Sequence, residues 1–113
     1  MLTIRKDATI QTVITTFEVT PGTCQDLVDV LGEACRDFVS KQPGFIAAAV
    51  HVNDAQTRIA NYVQWRSRED FQAMLRSEEM RAYSRRFNDL CKDFSPVMYD
   101  VVMVSGAAEN SDA

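Results

Sequence analysis

The chain has 113 residues, a formal net charge of -4, 46% hydrophobic residues and 25% charged ones. That length is one domain with one core, and the acidic balance without any Lys/Arg run argues against nucleic acid as a partner. Met1–Lys6 is too polar for a signal peptide and no window approaches 18 apolar residues, so no membrane partner and a cytoplasmic location are expected.

In chain order, residues 1–9 read as a lead-in, 10–104 as the domain and 105–113 as a small, polar tail. Ile10 to Val19 alternates as a β-branched strand, with Val13, Thr15, Phe17 and Val19 on one face. Thr20-Pro21-Gly22 breaks it, and Thr23 with Asp26 fits a capping pattern for a first helix. Leu27, Leu31, Ala34, Cys35 and Phe38 follow at helical spacing. Gln42-Pro43-Gly44 ends that helix, and Phe45–Val52 and Arg58–Trp65 read as a hairpin across a turn at Asn53-Asp54-Ala55-Gln56. Ser67 with Asp70 caps a second helix, recapped at Ser77, whose apolar stripe runs from Phe71 and Met74 through Met80, Tyr83 and Phe87 to Phe94. Val97–Val104 reads as a fourth strand.

The order β-α-β-β-α-β predicts an α+β, ferredoxin-like fold, an antiparallel sheet with two helices on one face. Strands two and four are apolar on both faces, more surface than two helices can cover, which predicts a homodimer built sheet to sheet. The cysteines are Cys24, Cys35 and Cys91, odd in number and without a CxxC pair, so neither a disulfide framework nor a thiolate zinc site is expected. Cys24 sits near a helix start, where a thiolate is favoured.

The third strand carries the most chemistry. Side chains alternate, so Asn61 and Trp65 share one face with Val63 between them. An amide and an indole on an otherwise apolar face suit a small aromatic ligand. A hairpin pairing residue 52 near residue 58 puts His51, the one histidine, opposite Ile59 on that same face; a slip of one residue reverses this.

Residues 10–104 resemble the antibiotic biosynthesis monooxygenase domain family, the dimeric α+β barrel proteins. The resemblance rests on the element order, the Gln42-Pro43-Gly44-Phe45 turn, and Asn61-Tyr62-Val63-Gln64-Trp65-Arg66-Ser67. It implies a cofactor-free monooxygenase that uses dioxygen as co-substrate to turn an anthrone-like polyketide intermediate into a quinone. Asn61, Trp65, His51 and Arg85 match or fall near positions that such enzymes use. Phe71 stands where such a branch has a tyrosine, so a proton relay through that phenol is absent or moved to Tyr62, Tyr83 or Tyr99. In this reading Asn61 holds the carbonyl oxygen that gains charge, and Trp65 stacks on the rings and offers its N–H. His51 is the candidate base, and Arg85, if it faces inward, stabilises an anion. Phe71, Tyr62, Met74, Tyr83 and Phe87 are the expected substrate-binding residues.

Other activities remain open on this scaffold. Haem degradation needs an axial histidine on the second helix, where there is none. A non-catalytic binding dimer and an isomerase or cyclase with His51 as base use the same pocket. The chain has no GxGxxG, P-loop, metal-ligand cluster or GxSxG motif.

Overall fold

Among the described residues, four strands form one sheet in which every neighbouring pair is antiparallel. The computed structural model describes residues 2–7 and 9–107. The strands are β1 (Gln11–Glu18), β2 (Phe45–Val52), β3 (Arg58–Trp65) and β4 (Asp93–Tyr99), in the order β2-β3-β1-β4 across the sheet. The helices are α1 (Pro21–Asp37), α2 (Arg68–Leu75) and α3 (Glu78–Leu90), with a 3₁₀ turn at Val39–Lys41. This is the expected ferredoxin-like arrangement, with the second helix delivered in two pieces.

The break in that helix follows from one serine. Ser77 Oγ accepts from the Met80 amide at 3.1 Å and donates to the Met74 carbonyl at 2.7 Å. It therefore ends α2 and caps α3 with the same side chain. Ser67 caps α2 as expected, accepting from the Asp70 amide at 3.1 Å.

Three expectations need correction. The first helix begins at Pro21 with Thr20 as its N-cap, so Thr23 lies inside it and no side chain caps it. Proline's fixed φ and missing N–H suit the first helical position, so the helix starts there. The fourth strand runs over Asp93–Tyr99 instead of 97–104, and residues 100–107 form no strand. Its register is tied to β1, whose Thr12 pairs with Tyr99 and whose Glu18 carbonyl accepts from the Lys92 amide at 2.7 Å. Helix α3 accordingly stops at Leu90, and Phe94 packs from the sheet instead of from the helix. Pro96 is tolerated because β4 is an edge strand. The lead-in is tied to the sheet, where Gln64 Nε2 donates to the Thr3 carbonyl at 2.8 Å across the helix-free face. The expected tail at 105–113 lies largely outside the described residues.

The helices cover one face of the sheet, and the core beneath them has two lobes. The first joins Phe17 and Ile59 to Cys24, Leu27, Leu31 and Ala34 of α1 and Phe87 of α3. Phe94 stacks on Phe17 at 5.2 Å, and Phe87 meets Phe17 edge-on at 5.8 Å. Cys24, 2% exposed, is part of this packing and not a surface thiol. The second lobe joins Val13, Val63 and Trp65 to Phe71 and Met74 of α2. On the opposite face Val97 and Tyr99 are 43% and 48% exposed.

Candidate functional site

Between the two lobes runs a row of side chains that belongs to neither. The register places Asn61 beside Val50 of β2 on one side and Thr15 of β1 on the other, and Thr15 beside Pro96 of β4. Large apolar groups flank the row: Ile59, Phe17 and Phe94 before it, Val63, Val13 and Met98 after it. Small and polar residues there fill less space than their neighbours. The result is a cavity of about 70 Å³ between sheet and helices.

Its walls are mainly apolar, with Trp65, Phe71, Met74, Met80 and Phe87 prominent. Asn61, Thr15 and Ser84 bring hydrogen-bonding side chains from three different elements. The Asn61 Oδ1 is buried with no hydrogen-bond partner among the described residues. Buried polar atoms are paired in the great majority of cases, so an orphan on a cavity wall points to a ligand. Trp65 is 1% exposed, with Phe45 edge-on at 5.8 Å and Phe71 at 6.1 Å. It both plugs the second lobe and lines the cavity.

The expected site residues separate into two groups. Asn61, Trp65, Phe71, Met74 and Phe87 converge on the cavity. His51, Arg85, Tyr62 and Tyr83 do not. His51 pairs with Ala60, so it lies on the face away from Asn61, exposed, with Nδ1 3.3 Å from the Ala60 carbonyl. The turn causes this slip. Asn53 Oδ1 accepts from the Thr57 and Arg58 amides, both at 2.9 Å, which closes the hairpin with Val52 opposite Ile59. Tyr62, next to Asn61 in sequence, takes the same helix-free face, where its hydroxyl is buried and unpartnered.

On α3 the cavity receives Met80, Ser84 and Phe87, spaced at i, i+4 and i+7. Arg85 falls off that stripe and is exposed. Tyr83 turns to α1, where its ring lies 6.3 Å from Phe38 and under the Arg86 guanidinium. Arg86 in turn forms a bidentate pair with Glu33, at 2.6 and 3.1 Å, whose hydrogen bonding holds the Glu33 carboxyl below its ordinary pKa. Tyr99 is on the helix-free face, so no tyrosine lines the cavity.

Thr15, Ser84 and Cys35 were not expected in the site. Thr15 was visible as the one hydroxyl on a face of Val13, Phe17 and Val19, and Ser84 as a polar gap between Met80 and Phe87. Burial pushes the Cys35 thiol up from its ordinary pKa, which keeps it neutral. Among the described residues no group of three His, Cys, Asp or Glu could hold a metal ion. No helix among them is long and apolar enough to cross a membrane. A larger, open trough of about 590 Å³ lies beside the N-terminal segment, between Arg5, Asp7, Gln64 and Arg66. It has no aromatic wall and is continuous with solvent, so it does not compete as an enclosed site.

Comparison with known proteins bears on this geometry. The family model described as antibiotic biosynthesis monooxygenase matches residues 10–86. Tetracenomycin-F1 monooxygenase of Streptomyces glaucescens is 29% identical over 116 residues, covering 100% of both chains. Among solved structures, SnoaB of Streptomyces nogalater, a cofactor-independent oxygenase, superposes with a TM-score of 0.76 at 15% identity, over 86% of this chain and 97% of that one. The ActVA-Orf6 monooxygenase of Streptomyces coelicolor, in complex with nanaomycin D, gives a TM-score of 0.74 at 21% identity, over 87% and 92%.

Proposed function

Because the chain belongs to the antibiotic biosynthesis monooxygenase family, we propose that it is a cofactor-free monooxygenase that oxidises a phenolic, anthrone-like polyketide to a quinone with dioxygen. The observation that carries this reading is the orphaned Asn61 Oδ1 on the wall of an apolar cavity that Trp65 also lines. The relatives named as a tetracenomycin-F1 monooxygenase and a cofactor-independent oxygenase support the reaction class.

The chemistry asks little of the protein. An anthrone methylene loses one proton and becomes a delocalised anion. That anion gives one electron to dioxygen, and the radical pair combines into a peroxide on the same carbon. Protonation and loss of water, with the second methylene proton, leave the carbonyl. One CH₂ and one O₂ thus yield one C=O and one H₂O.

The cavity favours the anion and keeps bulk water from it. The Asn61 amide presents an acceptor and two donors side by side. Its Nδ2 donates to the carbonyl oxygen that gains charge, while the Trp65 indole stacks on the rings and adds its N–H. No side chain lining the cavity is a base at neutral pH, since His51 lies outside it. The first proton therefore goes to solvent as the substrate enters. A fused tricycle needs more than 70 Å³, because ligand sites usually hold roughly 300 Å³ or more. Met74 and Met80, unbranched and on either side of the helix break at Ser77, are the walls that give way.

The protein works as a homodimer in this reading, with the exposed Val97 and Tyr99 face as the contact. Haem degradation is disfavoured because the one imidazole of the chain is on the far side of the sheet. The test is oxygen uptake with dithranol in chelator-treated buffer without flavin or nicotinamide. Dioxygen consumption with matching quinone formation, strongly reduced in Asn61→Ala, is expected. No uptake above the uncatalysed rate overturns the reading.

A further inference from the structure

Resting on the cavity reading above, we infer that Thr15 is a substrate-positioning residue that works with Asn61 to hold one phenolic oxygen, so that the site selects hydroxylated aromatic rings. Thr15 and Asn61 are direct register partners on β1 and β3, and both line the cavity. Residues opposite one another in an antiparallel pair have Cβ atoms about 5 Å apart. One ligand oxygen can therefore reach both side chains.

The two groups also complement one another chemically. The unpartnered Asn61 Oδ1 is an acceptor and needs a donor. A ligand with only carbonyl oxygens cannot supply one, whereas a phenol can. That phenol oxygen keeps its own lone pairs, and the Thr15 hydroxyl, free to rotate, donates to one of them. The phenol thus gives one hydrogen bond and takes one, and the amide Nδ2 is left for a neighbouring carbonyl. A hydroxyl too far from a ring ketone to bond it internally satisfies this pattern; an unsubstituted ring does not.

Trp65 is the chain's one tryptophan and lines this cavity, so its fluorescence reports occupancy without any turnover. The probes are 2,6-dihydroxyanthraquinone, whose hydroxyls are too far from the ketones for an internal bond, and unsubstituted anthraquinone, titrated below the pH at which the phenols ionise against wild type, Thr15→Val and Thr15→Ser. Valine keeps the shape and β-branching of threonine and suits the strand. Wild type should bind the dihydroxy compound about ten- to fiftyfold more tightly, the weight of two neutral hydrogen bonds. Thr15→Val should lower that ratio about fivefold by weakening only the dihydroxy compound, the bond to Asn61 Oδ1 keeping the rest, and Thr15→Ser should restore it. A ratio unchanged in Thr15→Val, or no quenching of wild type by either quinone, overturns the inference. Oxygen uptake is measured separately. Selective binding without uptake removes the oxidation and keeps the positioning residue, and uptake with an unchanged ratio does the reverse.

Discussion

An amide oxygen left unpaired inside an apolar cavity costs stability, and its removal should make the empty protein more stable. Leucine has the heavy-atom count and branching of asparagine, no polar atom, and extra volume that the cavity can take. In Asn61→Leu the desolvation cost of the buried Oδ1 disappears, which is worth about 1–3 kcal/mol. The added apolar contact with the walls works in the same direction. At about 4 °C per kcal/mol for a domain of this size, Tm should rise by roughly 4–12 °C. Asn61→Ala removes the same oxygen but enlarges the cavity, so its two contributions oppose and Tm should move little. Thermal unfolding followed by circular dichroism measures both. The same Leu variant should lose about a hundredfold in oxygen uptake with dithranol, the usual weight of one donor to a developing oxyanion. A site that sacrifices stability for function predicts this opposition. An Asn61→Leu protein that melts below wild type refutes the reasoning, because the amide would then be satisfied within the fold.

The remaining predictions concern the elements around the cavity. His51→Gln should leave kcat within about twofold, because His51 is on the other face; if the proton goes to solvent, the pH profile follows the substrate's own ionisation, and a profile that changes with this variant contradicts that path. Gly44→Ala should destabilise by about 2 kcal/mol or more in urea titrations. Gly44 has φ +85°, and an added Cβ would lie 2.5 Å from Asp70 Cγ, so the first turn of α2 must shift. Trp65→Phe keeps a ring but removes the N–H, and should lower kcat more than it raises KM. Val97→Asp should convert a dimer into a monomer in sedimentation velocity at micromolar concentration; an unchanged dimer moves the interface elsewhere.

Much of the architecture was readable because its signals are local. Alternation in 10–19 and 58–65 marks the two central strands, and the Ser67 and Ser77 caps mark the starts of α2 and α3 with no tertiary information. Asn61 and Trp65 were legible together because strand periodicity alone puts them on one face. What failed depended on register. The side that His51 takes is decided by the Asn53 side chain bonding across the hairpin turn, and a change of one residue in that closure inverts the strand. The limits of β4 failed for a related reason. Val97–Val104 has strand composition, but a strand continues only as far as its partner, and β1 gives it none beyond Thr12. Arg85 and Tyr83 were one or two residues from the inward stripe of α3, a difference that helical spacing shows only once the contacting face is known.

That a cavity exists here at all follows from the seam between the two core lobes. Ile59, Phe17 and Phe94 form one bulky row and Val63, Val13 and Met98 another apolar one; in the row between them Asn61, Thr15 and Pro96 are smaller, and Val50, at its β2 end, is 39% exposed. The helix break lies over the same division: α2 packs with the second lobe, Phe87 of α3 with the first, and Met80 touches both. A continuous helix would bind the lobes into one rigid layer. Two short helices joined at Ser77 can separate by small movements of methionine side chains, which is the cheapest route to a larger chamber. Thr15 and Asn61 then have two roles with one cause. As poor core formers they keep the lobes apart, and as hydrogen-bonding groups they give the resulting space its preference for a polar ring.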